Sequence, residues 1–171
     1  MTTETRTVSG LELREGRTLV GLVVPYDTDT RIGRYTERFT RGAFADADPG
    51  AVPLLAAHAH EALPIGLTVD LTEETRGLVG TFNVAETPKG DEVLALARAG
   101  VPLGLSVGFR PRVGGDRWNT ARTHVTRTAA DLAEVSVVGV PAYTDARVEA
   151  VRAHRDDQDV PPLLTLARRL H

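Results

Sequence analysis

The segment Gly104-Leu105-Ser106-Val107-Gly108-Phe109 is the part of this chain best suited to hold a nucleophile. Side chains alternate across a strand, so Leu103, Leu105, Val107 and Phe109 share one face, expected to be the core side. Gly104, Ser106, Gly108 and Arg110 share the other. Ser106 then stands among neighbours that carry no side chain. A peptide can approach its hydroxyl closely there, and nearby main-chain amides are uncovered, as a nucleophile with an oxyanion site requires. Taken alone, the segment reads more readily as a Gly-rich bend in which a small serine is tolerated.

Two further segments carry groups that would complete such chemistry. Val52-Pro53-Leu54-Leu55-Ala56-Ala57-His58-Ala59-His60 ends an apolar run in two histidines, followed by Pro64-Ile65-Gly66. A histidine at the end of a strand is a natural general base. His58 and His60 are two residues apart, so an extended chain puts both on one face, a spacing that also suits a pair of metal ligands. The metal reading is weakened because His124 and His154 are isolated and the chain has no cysteine. In Asp131-Leu132-Ala133-Glu134-Val135-Ser136-Val137-Val138, Glu134 interrupts an apolar strand. Such a carboxylate is either solvated on an edge strand or paired, because an unpaired buried charge is costly. Pairing to a histidine would orient the imidazole and stabilise its cation. For each of the three segments on its own, the structural reading is the commoner one.

These residues need a scaffold, and the sequence is rich in strands. Thr7 to Leu13 and Thr18 to Val24 read as two strands joined by a turn at Glu15-Gly16; Val52 to Ala57, Ile65 to Leu71, Leu78 to Val84, Leu103 to Phe109 and Ala130 to Val140 follow. Tyr26 to Asp48 reads as a long excursion with a short strand or helical turn, and Val113 to Arg127 as a hairpin or loop. Pro88 to Ala99 is the clearest helix. Pro88 suits its first turn, Asp91 and Glu92 its positive end, and Gly100 a left-handed cap. A short amphipathic helix is expected over Pro162 to Leu170, after the charged link Arg152 to Asp159. Many strands with one or two helices give an α+β or mainly β, barrel-like fold.

Composition narrows the function classes. The chain has 171 residues, 42% hydrophobic and 25% charged, which fits one globular domain with a core of its own. A net charge of -3 and the lack of a basic stripe argue against nucleic-acid binding. The absence of cysteine excludes disulfides, thiol catalysis and thiolate metal sites. Met1 to Thr7 lacks the apolar core of a signal peptide, and no stretch approaches the roughly 18 apolar residues of a spanning helix, so a soluble protein with no membrane partner is expected. Lys89 is the sole lysine, a bias best read as that of a GC-rich coding genome.

The order of the segments is more telling than any one of them. Glu37-Arg38-Phe39-Thr40-Arg41-Gly42-Ala43-Phe44, Leu54-Leu55-Ala56-Ala57-His58 with Pro64-Ile65-Gly66, Gly104 to Phe109, and Leu132 to Ser136 with Pro141-Ala142 together resemble the prohead (capsid maturation) serine proteases of tailed bacteriophages. The resemblance runs from about Gly21 to about Val148. It implies a fold similar to the herpesvirus assembly proteases (assemblins), a β-barrel surrounded by a few helices. It implies a protease domain over residues 1–150 with a charged tail over 151–171.

By the same resemblance Ser106 matches the nucleophile, Glu134 the acidic member and His58 the base, with His60 as a rival because the stretch to Pro64 is longer than usual. Ala59 departs from the family, where a small acidic or amide residue often follows the histidine. Arg110 and Arg112 are oxyanion candidates by analogy with the herpesvirus enzymes. The implied substrates are the scaffolding region of the major capsid protein and the protease itself, cleaved inside the assembling procapsid in the host cytoplasm. No cofactor is implied, and a homo-oligomer is compatible with the resemblance. Two rivals stand beside this reading. One is a catalytically silent relative acting as a scaffold or capsid-interior structural protein; the other is a metal-dependent hydrolase using His58 and His60.

Overall fold

The computed structural model describes residues 4–139. The expected tail helix, the charged link, His154, Pro141-Ala142 and the boundary at residue 150 all lie outside the described residues.

Among the described residues, twelve strands form two sheets. The strands are β1 (Glu4–Ser9), β2 (Leu11–Leu13), β3 (Thr18–Pro25), β4 (Thr30–Ile32), β5 (Tyr35–Phe39), β6 (Pro53–Ala56), β7 (Gly66–Glu74), β8 (Gly77–Val84), β9 (Leu103–Pro111), β10 (Asp116–Trp118), β11 (His124–Arg127) and β12 (Ala130–Gly139). The larger sheet has the order β1-β9-β12-β6-β7-β8-β3-β2, and the smaller one β10-β11-β5-β4. β12 lies at the heart of the larger sheet, antiparallel to β9 and parallel to β6.

Its two edge strands, β1 and β2, are consecutive in the chain and meet at Gly10, whose φ of 98° breaks the single strand expected over Thr7 to Leu13. The sheet therefore curls into a half-barrel. Gly21 on β3 marks how closely its far parts approach: a Cβ there would lie 2.9 Å from Leu105 Cδ1 on β9.

The mainly β expectation holds. Among the described residues the helical content is α1 (Pro88–Arg98) and a 3-10 turn at Pro49–Ala51. Thr87 caps α1 by accepting from the Gly90 N–H at 3.1 Å, Pro88 occupies the first turn, and Gly100 follows the helix with φ 72°. Val93 and Leu94 are its buried contacts with the core.

The long excursion after Tyr26 builds the smaller sheet, with β5 lying parallel to β11. Its Phe39 and the following Phe44 stack at 5.4 Å, and both meet the ring of Phe109 on β9 edge-on. The guanidinium groups of Arg6 and Arg127 lie 5.3 and 5.1 Å from the same ring centre. Both arginines pair with Glu37, which is only 1% exposed. Arg127 also binds Glu4 at 2.7 Å and Asp116 at 2.8 Å. Burial lowers the proton affinity of Arg6 and Arg127, but the neighbouring carboxylates, Glu37 foremost, outweigh it and push both upward. The motif Glu37 to Phe44 is thus the clamp that holds the end of the Ser106 strand against the core. Among the described residues no helix is long and apolar enough to cross a membrane.

Candidate active site

Leu105, Val107 and Phe109 face the core as alternation requires. Ser106 is on the opposite face of β9, directly across from Ser136 on β12. Glu134 is across from Gly108. That placement depends on a β-bulge: Leu132 pairs with Phe109 and Glu134 with Gly108, so Ala133 is the extra residue. Without the bulge, strict pairing would set Glu134 across from Val107, on the core side. The extra residue turns the carboxylate over to the face of Ser106.

The third member arrives from β6, the other neighbour of β12. The Ala57 N–H donates to the Val137 carbonyl at 2.9 Å, continuing the β6 pairing by one residue. The chain then turns through two consecutive left-handed residues, Ala57 (φ 51°) and His58 (φ 54°). Such conformations cost roughly 1–3 kcal/mol each in non-glycine residues and collect at functional sites. Here they swing the imidazole back over β12. The extended geometry that would set His58 and His60 side by side is replaced by a tight loop. Pro64-Ile65-Gly66 closes it: the Ile65 N–H donates to the Leu54 carbonyl at 2.8 Å, and a Cβ on Gly66 would lie 2.2 Å from the Asn83 carbonyl oxygen.

These elements bring Ser106, His58 and Glu134 together. His58 Nε2 is 2.7 Å from Ser106 Oγ, and His58 Nδ1 is 2.7 Å from Glu134 Oε1. An ionised carboxylate only accepts hydrogen bonds, so Nδ1 carries the proton and donates it to Glu134. The lone pair of Nε2 is then turned to the Ser106 hydroxyl. This is the tautomer a general base needs. Glu134 is 2% exposed, and its other oxygen, Oε2, accepts from Ser136 Oγ at 2.7 Å.

Ser136 is a site residue that the sequence reading did not single out. Besides donating to Glu134, its oxygen accepts from the main-chain N–H of His58 at 3.2 Å. One hydroxyl therefore fixes both the acid and the strained turn that carries the base. The available signal was its spacing of two from Glu134, which puts both on one face of the strand.

Gly108 has a different use from the one expected of it. The room left by its missing side chain is filled by Glu134, whose Oε1 would lie 2.6 Å from a Cβ at that position. Ser106 itself is 1% exposed, whereas the His58 side chain is 16% exposed, so the way in from solvent runs along the imidazole. A pocket of about 270 Å³ opens beside it, lined by Leu55, His60, Pro64, Arg110 and Glu134 among others.

The other expectations separate cleanly. His60 is exposed and stacks at 6.3 Å from His58, away from the Ser106 contact, so His58 holds the position of a base. Arg112 is committed to Asp46 and Asp131, which raise its proton affinity through hydrogen bonds. The Arg110 side chain makes no hydrogen bond or ion pair among the described residues and lines the pocket. The metal reading had lacked a third ligand, and Glu134 supplies one: donor atoms of His58, His60 and Glu134 lie within 4.8 Å of one another.

Comparison with known proteins bears on the family and the fold. Residues 3–159 match the family described as caudovirus prohead serine protease. Among solved structures the chain is similar to the bacteriophage T4 capsid assembly protease, gp21. Sequence identity is 15% and the TM-score 0.57, over 82% of this chain and 100% of that one. No curated protein matches the chain.

Proposed function

The chain belongs to the caudovirus prohead serine protease family, and from that premise we propose that it is a Ser-His-Glu endopeptidase. Its substrates in this reading are the scaffolding region of the major capsid protein and the protease itself, cleaved within the assembling procapsid. The observation that carries the proposal is the continuous hydrogen-bonded line Ser106–His58–Glu134, with 2.7 Å at each contact.

In this mechanism His58 Nε2 takes the Ser106 proton as Oγ attacks a peptide carbonyl. Glu134 keeps His58 in the required tautomer and stabilises the imidazolium. His58 then delivers the proton to the departing amine, leaving an acyl ester on Ser106. Water, deprotonated by the same imidazole, hydrolyses the ester and restores the serine. Because Ser106 is almost fully covered, acylation begins with an opening along the imidazole edge.

The convergence of the three groups favours an active enzyme over a silent structural relative, which has no need to keep a base in contact with the serine. It also disfavours a metal-dependent hydrolase, whose reaction does not need a serine hydroxyl held against the imidazole. The test is co-expression with the capsid protein of the same phage, wild type beside Ser106→Ala, read by intact mass. Trimming by the wild type alone supports the proposal and locates the scissile bond. No trimming by either, with both folded, moves the assignment to the silent relative.

A further inference from the structure

His60 is unused by the serine mechanism, yet it stands at the mouth of the site. Its imidazole is exposed and makes no hydrogen bond among the described residues. Its ring is inclined by 29° to that of His58, with 6.3 Å between centres. We propose that His58, His60 and Glu134 form a reversible inhibitory site for a zinc-type divalent cation.

Two imidazoles and one carboxylate, with a fourth position open to water, are donors that suit Zn²⁺. All three donor atoms lie within 4.8 Å of one another. Tetrahedral ligands at about 2.1 Å from zinc sit about 3.4 Å apart, so His60 must swing inward by up to about 1.4 Å. It is free to do so on its exposed loop. Glu134 Oε1 must part from His58 Nδ1, from 2.7 Å to about 3.4 Å, while Ser136 keeps its hold on Oε2.

Occupancy and catalysis exclude one another whichever nitrogen of His58 is taken. A cation on Nδ1 displaces the proton there, and the neutral ring then carries its proton on Nε2, facing Ser106, with no lone pair left to accept the hydroxyl proton. A cation on Nε2, which would leave Glu134 on Nδ1 and keep only the two imidazoles as ligands, displaces Ser106 outright. The site thus acts as a metal-operated lock on the base. The inhibition rests on the protease reading of this site; the binding does not.

The test separates the two. Calorimetric titration of the full-length Ser106→Ala protein with zinc chloride should give one site, abolished by EDTA and weakened about tenfold or more in a Ser106→Ala/His60→Ala protein. Magnesium, a hard cation that prefers oxygen ligands, should give no heat. In the cleavage assay zinc should inhibit the wild type and EDTA restore it, while His60→Ala keeps full activity without metal and resists zinc. No zinc binding by the folded Ser106→Ala protein, or equal affinity after loss of His60, overturns the proposal. EDTA abolishing cleavage, with zinc restoring it, overturns both the lock and the serine mechanism. Should no cleavage be seen at all, the titration still decides the metal site.

Discussion

Adding one methyl group at Gly108 should slow the enzyme without unfolding it. The new Cβ would lie 2.6 Å from Glu134 Oε1, 2.9 Å from its Cγ and 3.1 Å from its Cδ. A carbon and an oxygen rest at about 3.3 Å even in close C–H···O contacts, so the carboxylate must retreat by about 0.7 Å. A displacement of that size takes Oε1 off the position from which it accepts from His58 Nδ1 at 2.7 Å. Misplacement of a catalytic group by about 1 Å can cost roughly 10²-fold in rate, whereas disabling the acid member of such a triad costs roughly 10⁴-fold.

Gly108→Ala should therefore lose about 10²-fold in kcat, with KM little changed. Stability should fall by only about 1 kcal/mol, the low end for overpacking, because the displaced atoms end a side chain rather than form backbone. The assay is steady-state cleavage of a peptide spanning the capsid scissile bond, by wild type, Gly108→Ala, Glu134→Ala and the double variant. The effect of Gly108→Ala should vanish in the Glu134→Ala background, since the clash is with the atoms that substitution removes. Full activity in Gly108→Ala, or the same loss in both backgrounds, would refute the reasoning.

Three other outcomes follow from the same geometry. Ser136→Ala removes the donor to Glu134 Oε2 and the acceptor for the His58 N–H; kcat should drop by about 10- to 10²-fold at similar KM, and Ser136→Thr should restore much of it. Deleting Ala133 removes the bulge yet leaves Leu132 across from Phe109 and Glu134 across from Gly108; circular dichroism should show the fold retained, while loss of the local twist that aims the carboxylate should lower kcat by about 10-fold or more. Glu37→Gln leaves Arg6 and Arg127 without their shared counter-charge. Breaking such a buried group costs about 3–5 kcal/mol, which a melting curve should show as a fall of about 10 °C.

The parts of this molecule that could be read from its sequence are those set by local pattern. Alternation placed Leu105 and Phe109 inward and Ser106 outward, and the Pro88 to Gly100 helix carried its own start and stop signals. The bulge at Ala133 has no such signal, since alanine is neither a turn former nor a strand breaker. The left-handed pair Ala57-His58 is equally silent, lacking the glycine or asparagine that normally marks positive φ.

The buried charges carry no local signal of their own. Only the long-range pairing of β5 with β11, and of β1 with β9, buries Glu37, Arg6 and Arg127 together. Gly108 was visible as an open place beside Ser106. That Glu134 rather than substrate fills it depends on the cross-strand register, which a single sequence does not specify.

The most direct test of the account is covalent trapping. Incubation of the folded wild-type protein with a fluorophosphonate, followed by peptide mass mapping, should give a single adduct on Ser106. His58→Ala and Glu134→Ala should label far more slowly, in that order. An adduct on another residue, or none in a protein that cleaves its capsid substrate, would contradict the assignment of Ser106 as the nucleophile.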